Sequence, residues 1–196
     1  MTTQSKRKIR RLFAVQLLLV AVLLSVPGRS LIADDYKDRR IHVGLKLFRA
    51  LITADLQAPD KIAADGKFPI YLVYANSDSV IQDYQHSLQA SLPKLRDIPV
   101  RIELHNLQDV ITTNSAKPAA IFIAQQLNNL ELQQLVQFSI AQKIILFSPF
   151  EGDVEKGVLG GLSVEASVRP FINMRTLNAS QLEIKSFYLQ VAKHYE

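Results

Sequence analysis

Three short, nearly continuous apolar runs limit what this chain can fold into more than any other feature of its sequence. They are FPIYLVYA at residues 68–75, AAIFIA at residues 119–124 and KIILF at residues 143–147. Runs of this length that are rich in β-branched and aromatic residues are typical of strands buried on both faces of a sheet. A further strand is predicted for VRIEL at residues 100–104, where apolar residues alternate with polar ones. The sequence therefore predicts a sheet that helices cover on both faces.

Segments with helical periodicity separate these runs. Apolar residues three and four positions apart predict a helix over residues 41–54, which follows a polar, loosely ordered segment at residues 34–40. Further helices are predicted at residues 80–92, at residues 107–111 and after the capping pair Asn128-Asn129. Because strands that alternate with helices form βαβ units, the predicted fold is α/β, a single three-layer domain with a mainly parallel sheet.

The C-terminal third begins with a different pattern. After a polar loop at residues 151–157 and the pair Gly160-Gly161, apolar residues alternate with polar ones over residues 162–168. This alternation predicts one strand with a solvated face. Since Pro170 suits an edge or the end of a strand, we expect an antiparallel C-terminal edge strand.

Two short helices are predicted at the C terminus. The first covers residues 173–181, and after an extended piece at residues 182–184 the second begins with Ser186 as its cap and includes Tyr195. Ser180 and Glu183 also have the spacing of a capping box, so the alternative is a single longer helix that begins there. The two-piece interpretation is preferred.

The N terminus has the three parts of a secretory signal peptide. Five basic residues precede an apolar run at residues 12–26, and the small residues Gly28 and Ser30 follow. The apolar run is shorter than the roughly 20 residues that a stable membrane span needs. We therefore predict a signal peptide over residues 1–33, a mature domain over residues 34–196 and a periplasmic location. An uncleaved N-terminal membrane anchor is the alternative.

Charge and cysteine content exclude several classes of function. Residues 1–33 hold six of the 23 Lys and Arg and none of the 18 Asp and Glu, which leaves 17 positive and 18 negative side chains in the mature domain. Nucleic-acid binding needs a basic patch, and no dense basic cluster remains, so a nucleic-acid partner is not expected. The chain has no cysteine, and its four histidines lack ligand spacing. Neither a metal nor another cofactor is expected.

Polar loops that follow the predicted strands carry the first group of candidate binding residues. Ligands of open α/β sheets bind beyond the carboxyl ends of the strands. Asn76, Ser77 and Asp78 follow the first buried strand, Gln125 and Gln126 follow another, and Ser148, Glu151 and Asp153 follow a third. The simpler interpretation is that the first group caps a helix. Glu151 and Asp153 could pair as acid and base, but a solvated loop explains them better.

Basic and amide side chains after the solvated strand form the second candidate group. Arg169, Asn173 and Arg175 could bind carboxylates or backbone groups of a partner, and ordinary surface charges are the alternative. Ser163 lies in GGLSV, which lacks the glycine that follows the serine of a nucleophile elbow. No catalytic residue is predicted, and the chain is not expected to be an enzyme.

The order of these features resembles the YfiR-like family of exported bacterial proteins. An export signal is followed by a helix at residues 40–54 and by a strand–helix–strand series. After the buried strand KIILFSPF come Gly160-Gly161, the element Phe171-Ile172-Asn173 and a closing pair of helices. The chain departs from the family in having no tryptophan, and hence no aromatic-Trp-Pro element, and no cysteine for disulfides.

The resemblance implies a periplasmic regulator without enzymatic activity. Such a protein binds the outward-facing part of an inner-membrane diguanylate cyclase or sensor kinase and restrains it, which lowers cyclic di-GMP signalling, and a homodimer is a further partner to consider. Gly160, Gly161 and Asn173 would then determine the fold and take no part in catalysis. The alternative function is a periplasmic small-solute-binding component similar to one lobe of a transport-linked receptor, and a hydrolytic enzyme ranks last.

Overall fold

The structure is a computed structural model that describes residues 29–76, 80–112 and 117–196, with only the backbone for residues 29–37 and 80. The chain divides into two units, Met1–Asp38 and Arg39–Glu196. In the first unit the structure describes a helix that starts at Arg29, with the backbone alone up to residue 37. The predicted signal peptide therefore lies almost wholly outside the described residues, as do the candidate residues Ser77 and Asp78. The following paragraphs concern the second unit and the complete helix that enters it.

Six helices and eight strands are described, in addition to a 3-10 turn at Ala58–Lys61. The helices are α1 (Arg29–Ala54), α2 (Val80–Ser91), α3 (Leu107–Thr112), α4 (Asn129–Gln142), α5 (Met174–Ser180) and α6 (Ser186–Val191). The strands are β1 (Phe68–Tyr74), β2 (Lys94–Leu95), β3 (Ile98–Asn106), β4 (Ala120–Ile123), β5 (Ile145–Phe147), β6 (Gly160–Val164), β7 (Val168–Asn173) and β8 (Lys193–Tyr195).

The strands form one sheet in the order β2-β3-β1-β4-β5-β6-β7-β8. The five strands β3, β1, β4, β5 and β6 are parallel, and the short β2 pairs antiparallel with β3. β7 is antiparallel to β6 and parallel to β8, so the two last strands run against the parallel set. The predicted fold class is confirmed: one α/β domain with a mainly parallel sheet and an antiparallel C-terminal edge.

Two hydrophobic cores lie on opposite faces of the sheet. Ile70 and Leu72 of β1 belong to the core under α1 and α2, whereas Tyr71 and Val73 belong to the core under α3 and α4. Every residue from Phe68 to Val73 is buried, as its apolar run predicts. Because successive side chains are buried on opposite faces of the sheet, polar residues do not recur at every second position of these strands. Each fully buried large side chain contributes about 1.5–3 kcal/mol to stability.

The end of α1 is tied to the segment between α5 and α6. The backbone N–H of Leu56 donates to the carbonyl oxygen of Glu183 (2.9 Å), and that of Lys185 donates to the carbonyl of Ala54 (2.9 Å). Asp55 is fully buried between them, and its Oδ2 lies 2.6 Å from Nζ of Lys61. Backbone hydrogen bonds therefore join the end of the first helix to the segment between α5 and α6, although about 130 residues separate them along the chain. Closing a loop of that length has an entropic cost.

The start of α1 differs from the sequence prediction. The helix begins at Arg29 and not at residue 41, so the expectation of a loosely ordered segment at residues 34–40 is wrong. That segment, DDYKDRR with the preceding Ala33, has no apolar stripe, which is the signal that the prediction used. Alanine, lysine and arginine nevertheless have good helix propensity, and once a helix exists each added residue contributes one more hydrogen bond. Within the described residues, no helix is both long and apolar enough to cross a bilayer.

Two details of the C-terminal third were also predicted wrongly. The alternating stretch at residues 162–168 belongs to a hairpin of β6 and β7 and not to one strand, because a tight turn at residues 165–167 keeps the same alternation on both arms. Tyr195 lies in β8, since α6 ends at Val191 and Ala192 is extended. The preference for two short helices is confirmed, because Gln181 ends α5 in a left-handed conformation (φ 53°).

Candidate functional site

The switch point of the sheet lies between β1 and β4, where the strand order reverses and where open α/β proteins bind ligands. The side-chain Oε1 of Gln125, just after β4, accepts hydrogen bonds from the backbone N–H groups of Ala75 (3.1 Å) and Asn76 (2.8 Å). Nδ2 of Asn106 donates to the carbonyl of Ala75 (3.0 Å). The structure thus brings together two of the predicted loops. Their polar groups bond to each other, with Asn76 exposed at the rim.

The loop after β5 encloses its own polar side chains. Oγ of Ser148 donates to Oδ2 of Asp153 (2.6 Å) and accepts from the N–H of Phe150 (3.1 Å). Ser148 and Asp153 are buried, whereas Glu151 is exposed. Burial raises the pKa of Asp153 above its ordinary value, although the Ser148 hydrogen bond and the nearby Lys156 charge act in the opposite direction. The two carboxylates therefore occupy different environments, and Ser148 and Asp153 stabilise the loop from inside.

Two glycines allow this loop to pack against the base of the β6–β7 hairpin. A Cβ on Gly161 would lie 2.9 Å from the carbonyl oxygen of Ser148 and 2.6 Å from a methyl of Val154. A Cβ on Gly160 would lie 2.7 Å from a methyl of Leu51 in α1. Atoms cannot approach that closely without displacement, so a side chain at either position would push the hairpin away from the core.

The hairpin extends beyond the parallel strands. β5 and β6 pair only through Phe147 and Gly160, so the residues from Gly161 to Val164 continue past the end of β5, a distance of about 13 Å at the usual rise of a strand. Six successive residues at the tip, 164–169, are exposed. We call these six residues the hairpin tip.

The hairpin tip has two chemically different faces, because side chains alternate along each arm. Val164 and Val168 lie opposite each other and are 50% and 46% exposed. Glu165 accepts hydrogen bonds from Nη2 of Arg169 (3.0 Å) and from Nζ of Lys193 (2.8 Å). The hydrogen bond from Lys193 and its charge, with a further contribution from Arg169, lower the pKa of Glu165. Together with Lys193 of β8, the tip thus combines an aliphatic pair with a solvated ion cluster that has two cations and one anion.

The second predicted group, Arg169, Asn173 and Arg175, is not brought together. Arg169 lies at the hairpin tip and Asn173 at the opposite end of β7, about 13 Å away. Asn173 is buried: its Oδ1 accepts from the N–H of Thr176 (2.9 Å), and its Nδ2 donates to the carbonyl of Val154 (2.8 Å). It therefore caps α5 and anchors the loop after β5, whereas Arg175 is exposed on α5.

Sequence reasoning missed a polar cluster on one face of β1 and β3. The rings of Tyr71 and His105 stack with centroids 3.8 Å apart, and Nε2 of His105 lies 2.9 Å from Oε2 of Glu103. Arg101 forms ion pairs with Glu103 and with Asp65. The alternation in VRIELH places these side chains on one face, which is the signal that could have revealed them. Because the positive and negative charges pair with each other, we interpret the cluster as a network of ion pairs on the surface of the sheet and assign it no binding or catalytic role.

A scan against models of protein families and a search of curated proteins find no match to this chain. Among solved structures, the conserved domain protein from Vibrio cholerae O1 biovar El Tor is similar at 13% identity and a TM-score of 0.50, over 74% of this chain and 60% of that chain. At this identity the likeness shows the fold alone.

Two further structures are similar at lower TM-scores. The ABC domain in complex with L-Trp from Streptococcus pneumoniae has 11% identity and a TM-score of 0.48, over 73% of this chain and 61% of that chain. The substrate-binding protein CD0873 with adhesive properties from Clostridium difficile, in its ligand-free, open form, has 14% identity and a TM-score of 0.47, over 72% and 58%. This chain thus spans less than two thirds of each of the three, and the resemblance to the YfiR-like family stays a prediction.

Proposed function

We propose that this chain is an exported, non-enzymatic regulatory protein that binds and restrains the periplasmic part of an inner-membrane signalling protein, a diguanylate cyclase or a sensor kinase. The observation that carries the proposal is the hairpin tip. It presents the half-exposed pair Val164 and Val168 on an arm that extends past the parallel strands. The sequence resemblance supplies the class of partner.

The hairpin tip has the composition of a protein-binding surface. Interfaces combine an apolar centre with a polar rim, and arginine is enriched in them. Val164 and Val168 supply the apolar centre, and Arg169 with Lys193 supplies cationic groups around a single carboxylate, Glu165. The excess of one positive charge favours a partner surface with carboxylates.

The remaining candidate residues support binding over catalysis. Ser148 and Asp153 are buried and hydrogen-bonded to each other, and Asn173 caps α5. Oγ of Ser163 lies 3.3 Å from Glu165 in the hairpin, so the side chain is part of the same surface cluster. Ser148 and Ser163 each bond to a carboxylate, but Ser148 is buried with Asp153 inside the loop, and Glu165 is already bound by two cations. Neither pair resembles the serine–histidine arrangement that acyl transfer uses.

The test uses a charge at the centre of the apolar face. Val168→Asp should leave the fold intact, because Val168 is 46% exposed at the hairpin tip. It should weaken capture of the membrane partner by at least about tenfold, equivalent to roughly 1.4 kcal/mol. Leu130→Asp is the matched control, since Leu130 is 69% exposed and belongs to a different element, α4. Tagged full-length variants are cross-linked in cells, extracted from membranes and compared by mass spectrometry, and cyclic di-GMP is measured in parallel.

The proposal requires that deletion of the gene raises cyclic di-GMP or the output of a sensor kinase, and that Val168→Asp behaves as the deletion does while Leu130→Asp restores the normal level. Equal capture of the same membrane protein by both variants would contradict the role of the hairpin tip. An unchanged signal in the deletion strain, together with no captured sensor, would contradict the proposed function itself.

The alternative function is a small-solute-binding component, and the switch point favours it. The N–H groups of Ala75 and Asn76 converge on one oxygen of Gln125 at the switch point, where other open α/β sheets bind their ligands. A thermal-shift screen of amino acids, sugars and nucleotides tests it. A ligand present at about 100 times its Kd would stabilise the protein by about 2.7 kcal/mol, and no shift with any compound would exclude this function for the compounds tested.

A further inference from the structure

We propose that the groove between α3 and α4 binds a neutral carbohydrate, an oligosaccharide whose sugar rings carry no charge. The groove is open at the surface, has a volume of about 480 Å³ and is lined by Ile111, Thr112, Gln133, Gln134, Gln137 and Phe138. Ligand pockets of proteins usually have volumes of about 300–1,000 Å³. None of the lining residues belongs to the hairpin tip or to the switch point of the sheet. The inference therefore goes beyond the proposed function and does not rest on it.

Two helices that pack against each other form the walls of the groove. α3 and α4 are in contact, and they bury Val110, Leu132 and Leu135 in the core on this face of the sheet. Ile111 and Phe138 pack against the same core but are only partly buried. These two side chains form the apolar part of the lining, and Phe138 gives the groove an aromatic ring that its own domain covers only in part.

Carboxamide side chains form the polar part of the lining. Gln133, Gln134 and Gln137 are exposed, and their spacing places them on one side of α4. Nε2 of Gln133 donates to the carbonyl of Lys156 (2.7 Å), which holds this side chain in position and leaves its oxygen as an acceptor. The side chains of Gln134 and Gln137 make no hydrogen bond to any other residue that the structure describes. Each of these two carboxamides therefore offers two N–H donors and one acceptor oxygen to a ligand.

The solvated side of α4 carries almost no charge. Glu131 is the only charged residue from Gln125 to Gln142. Its carboxylate accepts a hydrogen bond from the N–H of Asn128 (2.9 Å) and so belongs to the cap of the helix. Surface helices usually carry charged residues on the face that meets solvent, and here carboxamides take their place. The groove is therefore polar without being charged.

The lining fits a sugar better than it fits a charged or a purely apolar ligand. A charged group would lose its hydration and find no opposite charge among the lining residues, and an apolar ligand would cover the carboxamides of Gln134 and Gln137 without bonding to them. A sugar ring has C–H groups on its faces, which match Ile111 and Phe138. The hydroxyl groups at its rim donate and accept hydrogen bonds, as carboxamides do. Because the groove is open, a chain of several sugar units can lie along it.

Titration of the purified full-length chain followed by amide NMR tests the site directly, because the side-chain amide groups of glutamine give signals of their own. The probes are three neutral oligosaccharides with different linkages or sugar units: maltotetraose, cellotetraose and the tetramer of N-acetylglucosamine. At least one should bind saturably and shift the signals of Gln134 and Gln137, which are assigned as those missing from the alanine variants. The Kd should be the same at low and high salt, since salt does not screen the binding of an uncharged ligand.

Variants within and outside the groove separate its role from a general effect on the surface. Gln134→Ala combined with Gln137→Ala should raise the Kd by at least about tenfold. Phe138→Leu, which keeps an apolar side chain against the core but removes the ring, should also raise it. The matched control is Gln142→Ala combined with Gln190→Ala, two exposed glutamines that do not line the groove, and it should leave the Kd unchanged.

Several results would overturn the inference. One is that none of the three oligosaccharides shifts the two glutamine signals at tens of millimolar. A Kd that rises with salt would show a charged ligand, and tighter binding of tetraglycine than of any sugar would show a peptide site. Equal Kd values for the groove variant and its control would place the sugar elsewhere. A Kd raised by Val168→Asp would place it at the hairpin tip.

Discussion

Two asparagines of this chain cap helices, and they should differ in their effect on stability. Oδ1 of Asn128 accepts from the N–H of Glu131 (3.0 Å) at the start of α4, in an exposed position. Oδ1 of Asn173 accepts from the N–H of Thr176 (2.9 Å) at the start of α5, but this side chain is buried and Nδ2 also donates to the carbonyl of Val154 (2.8 Å). Replacement of each by alanine therefore removes the same kind of cap, but only Asn173→Ala also removes a second side-chain hydrogen bond.

The expected magnitudes follow from these contacts. Loss of an asparagine cap costs about 0.5–2 kcal/mol, typically about 1 kcal/mol, which is all that Asn128→Ala should cost. Asn173→Ala also leaves the buried carbonyl of Val154 without its donor, a penalty of about 1–3 kcal/mol. The free energy of unfolding should therefore fall by about 2–4 kcal/mol for Asn173→Ala, two or more times the effect at residue 128.

Urea unfolding followed by circular dichroism measures both values on the same scale. Asn173→Asp keeps the cap acceptor but cannot donate to Val154, and it places a buried carboxylate oxygen against that carbonyl oxygen. Because this repulsion and the burial of a charge offset the cap, Asn173→Asp should be no more stable than Asn173→Ala. If Asn173→Ala and Asn128→Ala lost the same free energy, the hydrogen bond to Val154 would contribute nothing, and the account of how residue 173 holds the loop after β5 would be refuted.

Two further predictions concern the same loop. Gly161→Ala should lower the free energy of unfolding by about 1–3 kcal/mol. A second change, Val154→Ala, should restore only part of that loss, because the contact with the carbonyl of Ser148 remains. Equal stability of Gly161→Ala and the native chain in urea would contradict this prediction. Burial raises the pKa of Asp153, so the folded state binds this proton more tightly than the unfolded state does. The stability that this protonation contributes is fully present below the pKa of aspartate in the unfolded chain, near 3.9. It is lost as the pH rises through the pKa of Asp153 in the folded state. Asp153→Asn should remove this fall in stability, which begins above the unfolded pKa. A mutant whose stability keeps the native pH dependence would show that another group causes it.

The fold could be predicted where a local pattern and the tertiary structure agree. The run FPIYLVYA forms a strand buried on both faces, and Asn128 caps α4 with the expected side-chain hydrogen bond. The start of α1 and the hairpin turn could not be predicted, because a polar helix has no periodic stripe and a tight turn of three residues preserves alternation across two strands. In both cases the deciding interactions are not visible in a window of neighbouring residues.

The candidate site was predicted less well than the fold. The loops after the strands lie where expected, and Gln125 contacts the loop that contains Asn76. Whether Ser148 and Asp153 face solvent or each other depends on packing of the loop against β6, and sequence spacing does not encode it. The exposed pair Val164 and Val168 could not be distinguished from buried core residues, because exposure depends on what lies above a strand and not on the residue itself.

The bond between the end of α1 and residues 183–185 has a consequence for biosynthesis. While a ribosome is still adding residues before Glu183, the N–H of Leu56 and the carbonyl of Ala54 have no partner from that segment, and Leu182, Ile184 and Tyr188 are missing from the core. Contacts between residues so far apart in sequence form slowly. The domain therefore completes its folding only after residues 182–188 have been added, and a chain that stops before Leu182 should be recognised by cellular proteases as unfolded.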